Sequence, residues 1–188
     1  MSDAARLPDD LPVPVDDGAA DQVPGAAVPH DAFASTAGEP VDLGAPVRGR
    51  TVVFCFPGMR MPGEPASAGW DDVPGARGCT PEACGFRDNL DRLREVGAVA
   101  VYGLSVQPAD DLRVLAERHG LAYPLLSDPE LRLADALGLP TFTFEGKRLY
   151  KRLTLVLDAA TVEKVFYPVF PPDTHAADVA GWLRATAR

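Results

Sequence analysis

What the chain has little of narrows its work first. No apolar run approaches the roughly 20 residues that cross a bilayer as a helix. No basic amphipathic stretch offers a face to a membrane surface. The opening residues, MSDAARLPDD, lack the basic start and apolar core of a secretory leader, so a cytoplasmic setting is expected. Positive charge is scarce: 18 Lys and Arg face 27 Asp and Glu, a formal charge of −9. Such a surface repels phosphate backbones and argues against a nucleic-acid partner. Metal ligands are sparse as well. There are three histidines, His30, His119 and His175, scattered away from the one close cysteine pair. Zinc takes four N or S ligands at tight spacings, so neither a metal nor another cofactor is expected. Three cysteines are an odd number, too few for a disulfide framework in 188 residues. In a reducing compartment, close cysteines more often do chemistry or bind metal than staple a fold.

What is present describes one α/β domain. The hydrophobic fraction, 46% of 188 residues, supports a single core. Residues 1–28, dense in Pro, Asp, Ala and Gly, are expected as a flexible N-terminal arm or a strap on the surface, ahead of a single domain at 29–188. A short hairpin is expected within 30–48. The run 51–56 (TVVFCF) reads as a buried strand, ended by Pro57 and Gly58. Residues 58–78 show no periodicity, and loops of that length in a compact domain are usually functional or disordered. A helix is predicted over 81–96, with Thr80 as its cap, Pro81 in its first turn and Glu82 facing the dipole. Strands follow at 98–106, 124–126, 149–158 and 161–167, with helices at 110–119, 130–137 and 174–187. This order predicts an α/β sandwich, a mixed central sheet flanked by helices.

The chemistry concentrates in residues 78–88 (GCTPEACGFRD). Cys79 falls at a loop–helix junction, where unpaired N–H groups and the positive dipole end favour an anion. A thiolate is such an anion, and cysteines placed so ionise at about pH 3.5–7.5. Cys84 lies five positions on. Five helical residues rise about 7.5 Å and turn by about 140°, whereas a disulfide needs Cα atoms closer than about 7 Å. The two thiols can therefore meet only if the first turn unwinds, which Gly78 and Gly85 would ease. A sulfenic acid on Cys79, captured by Cys84, is the cycle this suggests. Cys55, inside the apolar strand, reads as a small buried hydrophobe. Arg152 opens another apolar strand, where a lone cation is costly unless paired. A guanidinium there can pair with an anion such as a thiolate and lower the thiol pKa.

Several separated segments resemble the peroxiredoxins, most closely the Q-type or bacterioferritin-comigratory branch. They are Phe56-Pro57, 78–88, 103–105 (GLS), 124–128 (PLLSD) and 152–158 (RLTLVLD). The resemblance implies a thioredoxin-like fold and reduction of hydrogen peroxide or organic hydroperoxides. Cys79 matches that family's peroxidatic cysteine, and Cys84 the resolving cysteine of Q-type members. Arg152 matches the arginine beside the thiolate, Glu82 a carboxylate that orients it, and Pro57 a shielding proline. A thioredoxin-like dithiol protein is the implied reductant, and a monomer or weak homodimer the expected state. One departure stands out. The family reads Pro-x-x-x-Thr-x-x-Cys, but here Ala76 occupies the threonine position and an insertion within 58–78 separates Pro57 from Cys79. Ser67 and Trp70 are the candidate replacements for the missing donor. Met59, Met61 and Trp70, with residues 166–170, could wall a site for a bulky peroxide. The departure keeps a second class open: a thiol redox sensor or interaction module that uses the same pair without turnover.

Overall fold

The computed structural model describes residues 7, 8 and 10–187. The hairpin expected within 30–48 is β1 (Ala32–Ser35) with β2 (Val41–Asp42), paired antiparallel. The chain continues through β3 (Arg50–Cys55), α1 (Cys79–Asp88), α2 (Leu90–Glu95), β4 (Ala98–Ser105), α3 (Ala109–His119) and β5 (Leu125–Ser127). It closes with α4 (Arg132–Leu137), β6 (Thr141–Phe144), β7 (Lys147–Tyr150), β8 (Leu153–Asp158), β9 (Thr161–Phe166) and α5 (His175–Ala185). The main sheet runs β2-β1-β5-β4-β3-β8-β9. It is parallel across β5, β4 and β3 and antiparallel towards both edges. No helix among the described residues is long and apolar enough to cross a membrane.

β3 is the centre, and all six of its residues are buried because both faces of the sheet are covered. Alternation sorts them. Val52 and Phe54 face a cluster built by α1, α2, α3 and α5, including Phe86, Leu93, Leu112 and Leu183. Val53 and Cys55 face the opposite cluster, with Leu126, Leu133 and Tyr150. Burying a leucine or phenylalanine contributes roughly 1.5–3 kcal/mol, so these two layers carry most of the stability.

Three local expectations change. The helix predicted over 81–96 is two helices that start earlier. Gly78, at φ 107°, makes the turn and α1 begins at Cys79, so Thr80 sits inside the first turn and is not the cap. The break falls at Asn89, whose side-chain amide donates to the Gly85 carbonyl and ends α1. The strand predicted over 149–158 also splits. Leu149 and Tyr150 belong to β7, turned back on β6 through Glu145 and Gly146 at φ 48° and 75°. Lys151 and Arg152 occupy the gap before β8.

The third change concerns the arm. Residues 1–6 and Asp9 lie outside the described residues. The rest of 1–28 departs from a flexible arm, because its apolar residues reach the core. Ala20, Val23 and Val28 are buried in the cluster around Cys55 and Leu155. The backbone of 25–28 hydrogen-bonds Val162 on the outer edge of β9 and Ala160 in the turn before it. That satisfies an edge which would otherwise stay open. Asp17 receives hydrogen bonds from Lys151 Nζ at 2.7 Å and the Tyr167 hydroxyl at 2.8 Å.

Candidate active site

The junction at Gly78 follows from its lack of a side chain. Its φ lies in the left-handed region, and a Cβ there would fall 2.4 Å from Pro172 Cγ. No side chain caps the start of α1, so its first N–H groups and positive dipole end remain directed at Cys79. Cys79 is 4% exposed. Its Sγ lies 3.5 Å from the Ala76 carbonyl, and Arg152 Nη2 donates to that sulfur at 3.2 Å.

Arg152 is buried, and a buried cation is tolerated only when its donors are met. Nε donates to the Gly75 carbonyl at 3.3 Å. Nη2 donates to the carbonyls of Ala76 at 3.2 Å and Arg77 at 3.3 Å. Nη1 donates to Glu82 Oε2. Burial works against the Arg152 charge, but Cys79 and Glu82 outweigh it and raise its pKa. Glu82 is wholly buried. Burial raises its carboxyl to about 7, with the guanidinium opposing. Its second oxygen, Oε1, finds no partner among the described residues. Arg152 immediately precedes β8 and shares the alternation of Thr154 and Val156, which face the side of the sheet that carries Cys79.

Cys84 lies further along α1, also 4% exposed. Burial raises its thiol pKa, and Arg87 pulls the other way. All three cysteines are free, and α1 is intact between Cys79 and Cys84. Pro57 is buried where β3 passes into the insertion. Met59 is pinned by Gln107, whose side-chain amide both accepts from and donates to its backbone at 2.7 and 2.8 Å. Of the two stand-ins for the threonine hydroxyl, Ser67 is exposed and Trp70 packs on the β6–β7 hairpin. Trp70 meets Phe144 edge-on at 5.0 Å and Phe142 at a tilt at 6.2 Å, so its ring packs against β6. The N-terminal segment crosses the same turn: Leu7 and Pro14 come within 3.2 and 3.6 Å of where a Cβ on Gly78 and Gly75 would sit.

Two further residues belong to this neighbourhood. His175 Nε2 and the Thr154 hydroxyl lie 2.8 Å apart, both residues buried. Burial, then the Arg152 charge, lower the His175 pKa to about 3, so the ring is neutral. A signal for it existed in the sequence, because His175 opens a stripe with Val179 and Leu183 at helical spacing. Thr154, an internal position of a strand, carried none. Among the described residues no three His, Cys, Asp or Glu side chains gather as a metal cluster. The site's tools are thus a sulfur at a helix start, a buried and hydrogen-bonded guanidinium, and a carboxylate behind it.

Residues 21–181 match the family model described as Redoxin. The chain is 31% identical to a chloroplastic peroxiredoxin Q of Arabidopsis thaliana over 162 residues, 86% of this chain and 67% of the relative. It is 35% identical to peroxiredoxin Bcp of Escherichia coli strain K12 over 114 residues, 58% of this chain and 72% of that one. Among solved structures, peroxidoxin BcpB from Mycobacterium tuberculosis superposes with a TM-score of 0.68 at 30% identity, covering 89% of this chain and 99% of the other. Peroxiredoxin Q of Xanthomonas campestris, at 22% identity and a TM-score of 0.65, shares the fold.

Proposed function

The chain belongs to the redoxin family and, within it, to the Q and Bcp peroxiredoxins, which are thiol-dependent peroxidases; from that premise we propose that Cys79 is the residue that attacks the peroxide and Cys84 the one that resolves it. The Cys79 thiolate attacks one peroxide oxygen. The S–O bond forms as the O–O bond breaks, and the leaving oxygen takes a proton to depart as water or an alcohol. Cys79 is then a sulfenic acid. Once α1 opens, Cys84 sulfur attacks Cys79 sulfur, the S–S bond forms, and hydroxide leaves as water with the Cys84 proton. A dithiol protein of the thioredoxin kind returns two electrons and two protons. Hydrogen peroxide and organic hydroperoxides are the substrates, in a cytoplasmic setting.

The observation that carries this reading is the 3.2 Å approach of the buried Arg152 guanidinium to Cys79 Sγ at an uncapped helix start. Both groups favour negative sulfur, and the same guanidinium can follow charge onto the departing oxygen. Glu82 keeps Arg152 in place from behind, and Gly78 permits the turn. Pro57 shields the floor of the site. Ala76, buried where a hydroxyl is expected, favours the sensor reading in one respect: it removes a donor for the peroxide. Peroxide consumption with a thioredoxin system decides between the two. Multiple turnovers that vanish in Cys79→Ser support the peroxidase, and a single oxidation without turnover supports the sensor. Peptide mass spectrometry after one equivalent of peroxide should find Cys79 joined to Cys84.

A further inference from the structure

If Cys84 reaches Cys79 only when α1 opens, whatever holds the turn between them sets how often resolution is attempted. Two long-range hydrogen bonds hold α1, one on that turn and one on the turn after it, and they lead to the connection between α3 and β5 and to the end of α3. Arg87 Nη1 donates to the His119 carbonyl at 2.6 Å. The Tyr123 hydroxyl donates to the Ala83 carbonyl, one residue before Cys84, at 2.7 Å. Tyr123 is 5% exposed, and its ring packs edge-on against Phe54 at 5.7 Å. Phe54 in turn stacks on Phe86 of α1 at 4.2 Å.

The Tyr123 bond is not needed to satisfy the helix. An Ala83 carbonyl within α1 already has a partner four residues on. The hydroxyl is the dependent member: when α1 opens, a buried O–H loses its acceptor and bears the cost of an unmade bond. That cost falls on the open form alone. We propose that Tyr123 is a positioning residue for the resolving step, whose hydroxyl holds the Ala83–Cys84 turn closed and so prolongs the Cys79 sulfenic acid. This rests on the reading of Cys79 and Cys84 given above. It implies a trade: a longer-lived sulfenic acid exposes Cys79 to a second peroxide and to sulfinic acid.

Tyr123→Phe tests it, because the ring that packs on Phe54 is kept. Stopped-flow oxidation of the reduced protein should show unchanged reaction of Cys79 with peroxide. Disulfide formation should accelerate about fivefold, the equivalent of ~1 kcal/mol, and sulfinic acid at high peroxide should fall. Amide exchange in the reduced variant should rise within 80–87 and stay unchanged in α3 and α5. Disulfide formation at the wild-type rate or slower overturns the proposal, as does exchange that rises equally in every helix. If wild-type protein forms no Cys79–Cys84 disulfide, the underlying reading fails first and is seen to fail by mass spectrometry, while the exchange pattern still reports whether Tyr123 holds this turn.

Discussion

Cys55 and Cys79 are buried almost equally, at 0% and 4% exposure, yet the fold sets them in opposite surroundings. Cys55 ends β3, packed among apolar side chains such as Leu133 and Tyr150. Burial raises its pKa well above the usual value, and the charges felt there, Glu82 and Asp128, push the same way. Asp128 is itself fixed by the Tyr150 hydroxyl at 2.5 Å and by the backbone N–H groups of Arg132 and Leu133. Cys79 meets the Arg152 guanidinium and the start of α1, which no side chain caps. Depth does not make a thiol reactive or inert; the sign of what surrounds it does.

The comparison breaks most completely at Cys79 itself. Cys79→Ser should abolish peroxide turnover, read as peroxide consumed with a thioredoxin system. Arg152→Met should come next. Losing a donor aimed at developing charge costs about 10²–10³ in rate, and stranding buried Glu82 should destabilise the fold by about 3–5 kcal/mol. Adding Glu82→Gln should restore much of that stability, followed by chemical denaturation, without restoring activity. That double variant separates the guanidinium's chemistry from its structural pairing.

A smaller effect lies in the pH dependence of stability. His175 binds its proton at about 3 in the fold against 6.5 unfolded, so its contribution is present above pH 6.5 and lost as pH falls through 6.5 to 3. Glu82 runs the other way. Raised from 4.5 to about 7, it contributes below pH 4.5 and loses that as pH rises to 7. The two oppose each other between 4.5 and 6.5, and below 4.5 His175 alone remains. Denaturation midpoints should therefore change little across the first window and fall below it, and His175→Gln should blunt that acid fall. The smallest effect is expected at the other thiol: Cys55→Ala should leave kcat/KM unchanged and cost about 1–2 kcal/mol by the small void it leaves.

Much of the chain could be read from its residues because the signals were local. The run at β3, the loop–helix junction at Cys79 and the five-residue spacing of Cys79 and Cys84 are each set within a short stretch of chain. The splits at Asn89 and before β8 were hidden because apolar periodicity continued through both. Glu145 and Gly146 were the available sign of the second, a two-residue turn between alternating segments. The arm misled by composition: its Pro and Asp content spoke for solvent, while Val23 and Val28 answered to an edge strand more than 130 positions away.

The residues by themselves determined which sulfur stands at a helix start and that a lone arginine needs a partner. Only the assembled sheet decided that the partner is the pair Cys79 and Glu82, 73 and 70 positions from Arg152. It also decided that Tyr123 and His175 stand beside them. The physical reason is range: helix ends and turns are set by neighbours in sequence, whereas a buried charge is satisfied by whatever strand order brings within 3–4 Å, and no local pattern encodes that meeting.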